Sequence, residues 1–311
     1  MRVLLAGATG VVGRQLVPLL VSTGHEVIAT TQRADKFDQL WHQGARPVAL
    51  DLLDRSAVRA VVLDAQPEAI VHQATALSML GNNVRRYKQL FRTTNDLRTR
   101  GTANLIAAGQ ESGVERLVVQ SYCGWPFAAE GGWVKDEDAP LEPHPPAVFA
   151  EMLAAIRELE QLVASTPGGV VLRYGGLYGP GTSLDVDGPQ VLAVRKRRLP
   201  LVGDAGGYWS FLHVHDAATA ALAALTRGAG IYNIVDDEPA AGRDWIPYLA
   251  AVVGAEPPRR VPVWLARIVA GEGAVRAMTR GRAGSNEKAE RELAWTPSRK
   301  SWRDGFRAEL G

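Results

Sequence analysis

Three glycines near the N-terminus have the spacing of a phosphate-binding turn. Gly7, Gly10 and Gly13 follow an apolar run, and helical spacing of apolar residues begins directly after them. In a strand–turn–helix of this kind, glycines permit the tight turn, the approach of a pyrophosphate to the backbone, and close packing of helix on strand. The first N–H groups of the helix then face the anion. The sequence therefore predicts a dinucleotide site, rather than an empty glycine-rich turn, at Gly7, Thr9, Gly10, Val11, Val12 and Gly13.

The end of the second strand-like run bears on which dinucleotide would bind. A carboxylate there hydrogen-bonds the ribose of NAD and would repel the 2′-phosphate of NADP. This run ends at Thr31, and the first carboxylate after it is Asp35. Arg33 and Lys36 add positive charge, and a guanidinium binds phosphate oxygens in a bidentate way. The sequence predicts NADP(H) over NAD(H), the alternative for Arg33 being a solvated turn residue.

The elements that must position this turn alternate along the first half of the chain. Helical patterns separate the strand-like runs Arg2–Ala6, Glu26–Thr31, Pro47–Leu50, Ala69–Gln73 and Arg116–Gln120. A further helix over Ala147–Ala164 leads to a strand over Val170–Tyr174. Such alternation predicts parallel strands with right-handed crossovers, which is an α/β fold with a Rossmann-type doubly wound sheet.

The texture of the sequence changes after about residue 175, where glycine- and proline-rich loops separate shorter elements. We expect a dinucleotide-binding domain over 1–174. A smaller α/β substrate lobe over 175–311 would be interleaved with it. Ligands of open α/β sheets bind at the carboxyl edge of the strands, so the lobe is expected to cover that edge.

Composition argues against several classes of protein. The net charge of +2 over 311 residues gives no basic surface for nucleic acid. A single cysteine, Cys123, excludes an intramolecular disulfide and a cysteine metal cluster. No apolar run reaches the about 18 residues of a membrane span, and Met1 directly precedes the first strand, which argues against a signal peptide. We expect a cytoplasmic protein that binds a small molecule, without nucleic acid, membrane or metal.

Further motifs follow the turn GATGVVG along the chain. Asp51 and Leu52 follow the third strand, and Gln73, Ala74 and Thr75 follow the fourth. The stretches LRYGGLYGPG, FLHVHDAA and SNEKAERELAWTP come later. In this order the motifs resemble the extended short-chain dehydrogenase/reductase family, also called the NAD-dependent epimerase/dehydratase family. The resemblance implies adenine contacts at Asp51–Leu52 and a loop passing under the cofactor at 73–75.

The resemblance also implies where catalytic residues should stand. The family uses a tyrosine, and a lysine four residues later, on the helix after the fifth strand to move a proton at the substrate oxygen. Here Pro146 sets the register and places Phe149 and Leu153 at those positions. The family's asparagine before Gly101 is replaced by Arg98, which we expect at the cofactor. Neither Phe149 nor Leu153 can transfer a proton, so the chain resembles an atypical member.

A relocated proton donor would reconcile these departures. The family's catalytic serine or threonine position falls on Tyr122, with Ser121 one residue earlier. The phenol of Tyr122 would supply the missing proton, and Ser121 or Lys135 would polarise the substrate or bias the pKa of Tyr122. The alternative is that Tyr122 packs against cofactor or core and does no chemistry.

The expected substrate also departs from the family's usual one. Many relatives clamp a sugar nucleotide with an arginine, and Trp209 stands at that position here. An indole in place of a guanidinium removes an anion partner and adds apolar area. We expect a small hydrophobic substrate, bordered by Trp125, Trp133, Tyr178, Tyr208 and Trp209.

These observations predict an NADP(H)-dependent oxidoreductase acting on a carbonyl or related group of a small hydrophobic metabolite. Two alternatives stay open. One is an epimerase, dehydratase or isomerase that retains its nucleotide, and the other is a non-catalytic sensor of NADP(H) redox state. By resemblance we also expect a homodimer formed through the helices near Asn95–Ser112 and Ala147–Ala164.

Overall fold

The computed structural model describes residues 1–77, 91–124 and 126–311. The chain divides into two compact units. Unit 1 comprises Met1–Ser121, Ala154–Leu172 and Ala217–Tyr232, and unit 2 comprises Tyr122–Leu153, Arg173–Asp216 and Asn233–Gly311. The chain crosses repeatedly between them, and one crossing, at Leu172–Arg173, lies close to the expected boundary at 174.

The strands of the described residues are, in chain order, β1 (Arg2–Ala6), β2 (Glu26–Thr31), β3 (Arg46–Ala49), β4 (Ala69–His72), β5 (Arg116–Tyr122), β6 (Val134–Lys135), β7 (Gly169–Tyr174), β8 (Gly176–Tyr178), β9 (Leu201–Val202), β10 (Tyr208–Trp209), β11 (Phe211–His213), β12 (Gly230–Ile234), β13 (Ala240–Ala241), β14 (Arg260–Val261) and β15 (Ala283–Gly284).

The α-helices are α1 (Val11–Ser22), α2 (Phe37–His42), α3 (Arg55–Ala65), α4 (Thr102–Glu111), α5 (Ala147–Ala164), α6 (Pro189–Arg195), α7 (Val214–Ala223), α8 (Gly242–Val252), α9 (Val263–Arg280), α10 (Glu287–Leu293) and α11 (Trp302–Leu310). A 3-10 turn covers Ala34–Lys36, and a π-helical turn over Leu97–Gly101 leads into α4. No described helix is long and apolar enough to span a bilayer.

A seven-stranded sheet with the order β12-β7-β5-β4-β1-β2-β3 forms the centre of unit 1. The pairs β1–β2, β1–β4, β2–β3 and β4–β5 are parallel. Strand β1 lies between β2 and β4, so the strand order reverses there, and the carboxyl ends of β1 and β4 adjoin at this switch point. Ligands of such sheets bind at that place. The predicted Rossmann-type doubly wound fold is confirmed.

Local sequence explains these first elements. The run from Val3 to Ala6 is fully buried, as expected of a strand with neighbours on both sides. In α1 the buried residues Val12, Leu16, Val17 and Leu20 recur at helical spacing and give the helix one apolar face. The bounds of β1, β2 and α5 agree with the sequence-based ones, whereas the ends of β3, β4, β5 and β7 differ by one or two residues.

Unit 2 combines short two-stranded sheets with an aromatic core. The pairs β8–β11, β9–β14 and β6–β15 are parallel, and β10–β13 is antiparallel. The ring of Phe211 packs edge-on against Phe306 and Trp245, at centroid distances of 5.1 and 5.3 Å. Large aromatic rings bury much apolar area in few residues, which gives this unit a core despite its short strands.

Candidate functional site

The turn between β1 and α1 is packed so tightly that two of its positions require glycine. Gly7 has a φ of +89°, and a Cβ there would lie 2.7 Å from the backbone N and Cα of Ala74. A Cβ on Gly13 would lie 2.2 Å from the carbonyl oxygen of Gly7. The first position needs a left-handed backbone and close approach to the loop after β4, and the second needs contact of helix with turn. The spacing predicted the tight turn at Gly7 and the close packing at Gly13, whereas the approach of Gly7 to the loop after β4 is seen only in the structure.

The N-terminus of α1 is suited to an anion. Gly10 is the N-cap, and it makes no side-chain hydrogen bond to the first turn of the helix. The amide of Gly10 itself donates to the carbonyl of Gly7 at 3.0 Å, which closes the turn. The remaining amides of the first helical turn lack intrahelical acceptors and lie at the positive end of the helix dipole. Val11 and Val12 supply two of these amides.

Gln73 is a second feature that fits a dinucleotide. Its side chain is buried, yet neither its amide oxygen nor its amide nitrogen has a hydrogen-bond partner within the described part of the chain. Its backbone carbonyl accepts a hydrogen bond from Nε2 of Gln120 at 2.9 Å, which fixes the start of the loop. Buried amides are normally paired, so this one is left for a ligand. Ala74 and Thr75 continue the loop and are partly exposed.

His72, at the end of β4, anchors the same loop. Its Nδ1 accepts a hydrogen bond from the amide of Ala74 at 3.3 Å, so its Nε2 carries the proton and donates to the carbonyl of Leu97 at 3.2 Å. Burial is the main cause that lowers the pKa of His72 to about 4, and the charge of the nearby Arg98 guanidinium acts in the same direction. The imidazole is therefore neutral and holds Ala74 where Gly7 contacts it. Sequence reasoning quoted this histidine but assigned it no role.

The predicted adenosine contacts lie at the ends of β2 and β3. The hydroxyls of Thr9 and Thr31 are 3.0 Å apart. The guanidinium of Arg33 makes two hydrogen bonds to the Asp35 carboxylate, at 3.2 and 2.7 Å, and both side chains are about 60% exposed (63% and 59%). Asp35 therefore already offers Arg33 the fork contact that a 2′-phosphate would need. Lys36 ends the 3-10 turn beside them.

The remaining cofactor candidates flank the switch point. The Asp51 carboxylate accepts the amide of Leu53 at 3.0 Å, and Leu52 is buried, its carbonyl bound by Asn104. Arg98 is buried within the π-helical turn. Such turns are rare and recur at functional sites.

The two adjacent candidates for proton transfer on β5 lie in different surroundings. The hydroxyl of Ser121 donates to Oε1 of Glu160 at 2.8 Å, and both side chains are buried. Successive side chains of a strand point to opposite faces, and Tyr122 is partly exposed. A Cβ on Gly124 would lie 2.0 Å from the hydroxyl of Tyr122, so that ring lies over the glycine. The structure corrects the expectation for Ser121, whose hydroxyl is committed to a buried carboxylate.

Phe149 and Leu153, where the resemblance predicted the family's tyrosine and lysine positions, make apolar contacts in unit 2. Phe149 packs on α9, since a Cβ on Gly273 would lie 2.8 Å from its ring. Leu153 is fully buried. Lys135 extends to the carbonyl of Glu130, with Nζ 2.5 Å from that oxygen. This bond holds the ammonium at a turn and does not bring it to another titratable group.

Of the aromatic candidates, Trp133 and Tyr208 come together. Their ring centroids are 5.3 Å apart with planes tilted by 32°, and Trp133 is 43% exposed. The guanidinium of Arg282 lies over the Trp133 ring, 4.1 Å from its centroid. Sequence reasoning missed Arg282, because nothing in the local pattern links it to a tryptophan so distant in the chain.

The other aromatic candidates do not line this place. Tyr178 is fully buried between His213 and Phe306, and burial raises the pKa of its hydroxyl. Trp209 packs on Trp245 at 5.4 Å, on the side of β10 opposite to Tyr208. Tyr178 belongs to the core of unit 2, which corrects the expectation that it contacts substrate, and the partly buried Trp209 packs against that core. Trp125 lies outside the described residues.

Comparison with known proteins agrees with this geometry. The family model of the NAD dependent epimerase/dehydratase family matches residues 3–235. The chain belongs to that family. A 3-diazoavenalumate denitrifying reductase of a Streptomyces species is 43% identical over 312 residues, covering 99% of this chain and 100% of the relative.

Two further likenesses extend the comparison. A 2-alkyl-3-oxoalkanoate reductase of Stenotrophomonas maltophilia is 29% identical over 267 residues, 82% of this chain and 76% of that protein. A solved UDP-glucose 4-epimerase of Thermus thermophilus in complex with NAD has a TM-score of 0.74 at 24% identity, covering 99% of this chain and 97% of that one. The predicted family is confirmed, and with it the expectation of an NAD(P)-dependent oxidoreductase.

Replacing Gly13 by alanine tests the dinucleotide turn. Because the new Cβ would lie 2.2 Å from the Gly7 carbonyl, α1 must move away from the turn, and we expect the affinity for NAD(P)H to fall at least about tenfold. Quenching of intrinsic fluorescence by titrated dinucleotide measures it. Gly132→Ala is the matched control, since its Cβ would meet only one atom, at 3.8 Å. Equal affinities of Gly13→Ala and the wild type would contradict the assignment.

The neutral state of His72 predicts a pH dependence of stability. Its folded pKa of about 4 lies below the unfolded value, so the stabilisation is complete above pH 6.5 and is lost as the pH falls towards 4. The difference corresponds to about 3 kcal/mol in the free energy of unfolding. Urea unfolding across this range should show a steeper pH slope for the wild type than for His72→Asn. The exposed His42→Asn serves as control, and parallel slopes in all three proteins would exclude His72 as the cause.

Proposed function

We propose that this chain is an NAD(P)H-dependent reductase that replaces the diazo group of a small, planar, largely apolar compound by hydrogen. The observation that carries the proposal is the pairing of a well-formed dinucleotide turn with Phe149 and Leu153 at the proton-transfer positions. The Streptomyces relative supports it, since its name describes the reductive removal of nitrogen from a diazo compound, and the likeness spans essentially both chains.

The chemistry of such a reaction explains why the usual pair is dispensable. When bound, reduced nicotinamide supplies hydride, so that R–N₂⁺ and NAD(P)H give R–H, N₂ and NAD(P)⁺. The electron pair of the hydride forms the new C–H bond, and that of the C–N bond leaves with nitrogen. No substrate oxygen gains charge, so no residue has to deliver a proton there. An apolar pair such as Phe149 and Leu153 is compatible with this step.

The residues of unit 1 hold the dinucleotide in this proposal. The first-turn amides of α1 bind the pyrophosphate, and Gln73 offers an unpaired amide to the cofactor. Asp51 and Leu52 stand at the adenine and Arg98 near the nicotinamide half, as the family resemblance implies. Tyr122 and Lys135 are the polar groups of unit 2 that we assign to substrate positioning.

Reduction of a carbonyl is the second candidate. The Stenotrophomonas relative is named for reduction of an oxo acid, and such a reaction requires a proton at the substrate oxygen. Tyr122 would then be the donor, with its ring held over Gly124. The carbonyl candidate requires the hydroxyl of Tyr122 as a proton donor, whereas the diazo proposal does not.

Tyr122→Phe therefore separates the two functions. With 3-diazoavenalumate and NAD(P)H deuterated at C4, we expect one N₂ per dinucleotide oxidised and deuterium at the carbon that loses nitrogen. Tyr122→Phe should keep kcat within about fivefold, because the step needs no proton donor, whereas removal of a general acid costs about 10²–10⁴. Gly13→Ala is the control for non-enzymatic reduction. Activity on ketones alone, abolished in Tyr122→Phe, would establish the carbonyl candidate instead.

The choice of dinucleotide rests on Arg33 and Asp35. The sequence favoured NADP(H) because Arg33 offered a fork for a 2′-phosphate, but the structure pairs that fork with Asp35. The solved epimerase of the same fold holds NAD. These two observations favour NAD(H), and the preference for NADP(H) stays a prediction of the sequence.

Substitution at position 35 tests this choice. We expect the wild type to bind NADH at least as well as NADPH, and Asp35→Asn to shift the ratio of dissociation constants towards NADPH by about tenfold, because an exposed ion pair is easily released. Arg33→Ala should then affect both dinucleotides alike. A wild type that prefers NADPH, and loses that preference in Arg33→Ala, would restore the sequence-based prediction.

A further inference from the structure

Arg282 is a buried cation without a counter-charge. Only 7% of the residue is exposed. Its Nη1 donates to the carbonyl of Arg280 at 3.0 Å and contacts that of Gly281 at 3.5 Å, and its Nε has no acceptor in the described part of the chain. Among the described side chains, no carboxylate forms an ion pair with it. Burial lowers its pKa, and the charge of Arg280 acts in the same direction.

The backbone around Arg282 fixes it against two aromatic residues of the same unit. The amide of Tyr208 donates to the carbonyl of Gly281 at 2.9 Å, and the amide of Ala283 donates to the carbonyl of Trp133 at 3.0 Å. The residues before and after Arg282 are thus tied to β10 and to the start of β6. Main-chain hydrogen bonds therefore hold the guanidinium, the indole and the phenol next to one another.

Burying the Arg282 charge without a carboxylate partner destabilises the protein when no ligand is bound. A buried charge is unfavourable unless it is paired and its N–H groups are satisfied. The Trp133 ring compensates part of the cost through a cation–π contact, and two carbonyl oxygens accept from one nitrogen. An anionic oxygen pair is the partner that a guanidinium fork lacks here. Trp133, 43% exposed, offers apolar ring surface beside it.

We propose that Arg282, Trp133 and Tyr208 form a subsite for a planar conjugated carboxylate, with the carboxylate on the Arg282 guanidinium and the conjugated system against the two rings. The proposal deepens the proposed function, on which it rests, by naming the substrate class as an aromatic or otherwise conjugated acid. By the resemblance, Trp209 stands where many relatives have an arginine that binds an anion, and Arg282 would take over that role. In this proposal the anion partner is Arg282, directly before β15, and the ligand is smaller, with one negative charge and a flat body.

The subsite predicts selectivity between ligands that differ in charge alone. Cinnamate and cinnamamide share size and shape, and they serve as probes with the full-length protein, by calorimetry or tryptophan fluorescence. We expect the wild type to bind cinnamate at least about tenfold more tightly than cinnamamide, since a hydrogen-bonded charge pair is worth at least that factor. Arg282→Gln should abolish the difference by weakening cinnamate binding, with cinnamamide unchanged. Arg282→Lys should retain part of it, because the charge remains but the fork is lost.

Trp133→Leu examines the aromatic part of the subsite. It should weaken cinnamate more than 3-cyclohexylpropanoate, because the flat conjugated ligand alone gains from ring stacking. Arg195→Gln, on a surface arginine of α6, is the matched control and should leave all dissociation constants unchanged.

The outcomes decide the subsite and the function separately. Equal binding of cinnamate and cinnamamide by the wild type, or no saturable binding of either, overturns the subsite even if Arg282→Gln fails to fold. An Arg282→Gln protein that unfolds more easily but keeps the preference shows a structural role only and overturns it as well. Charge-selective binding without any substrate-dependent oxidation of NAD(P)H supports the subsite and removes the reductase proposal. If Arg282→Gln leaves both the rate and the KM of diazo reduction unchanged, the reductase proposal is supported and the subsite is overturned.

Discussion

The contact of Gly7 with the backbone of Ala74 is the constraint on which the rest of unit 1 depends. At 2.7 Å from a hypothetical Cβ, the loop after β4 leaves room for glycine alone. This approach joins the carboxyl ends of β1 and β4 at the switch point of the sheet, where a dinucleotide must lie. Three features meet at this contact: the glycine of the turn, the neutral histidine that holds the loop, and the uncapped N-terminus of α1.

The two positions at which the resemblance predicts the family's proton-transfer pair are apolar, Phe149 and Leu153. Phe149 packs on Gly273 and Leu153 is fully buried, so both positions now contribute to packing. Apolar residues cannot exchange a proton with substrate oxygen, yet hydride transfer needs only the dinucleotide and a carbon acceptor. In the function we propose, the site reduces a carbon whose leaving group departs with the electron pair of its bond.

Unit 2 contains a buried cation, the guanidinium of Arg282. Arg282 sits on Trp133 with its burial only partly compensated. Polar groups held without a partner in a folded protein are usually explained by a ligand or by function. Gln73 in unit 1 presents the same situation with a neutral amide. In the functions we propose, both side chains contact a ligand.

The sequence by itself determined the dinucleotide turn and the alternation of strands and helices, because these are local or follow from short periodic patterns. The missing pair at Phe149 and Leu153 stays a prediction from the resemblance. Only the tertiary structure decided which of the aromatic candidates pack in or against the core of unit 2. Tyr178 and Trp209 carry the same local signals as Trp133 and Tyr208, and the difference lies in which face of a strand meets the core. The Asp35 partner of Arg33, the Glu160 partner of Ser121 and the placement of Arg282 on Trp133 likewise arise from side-chain geometry that no spacing encodes.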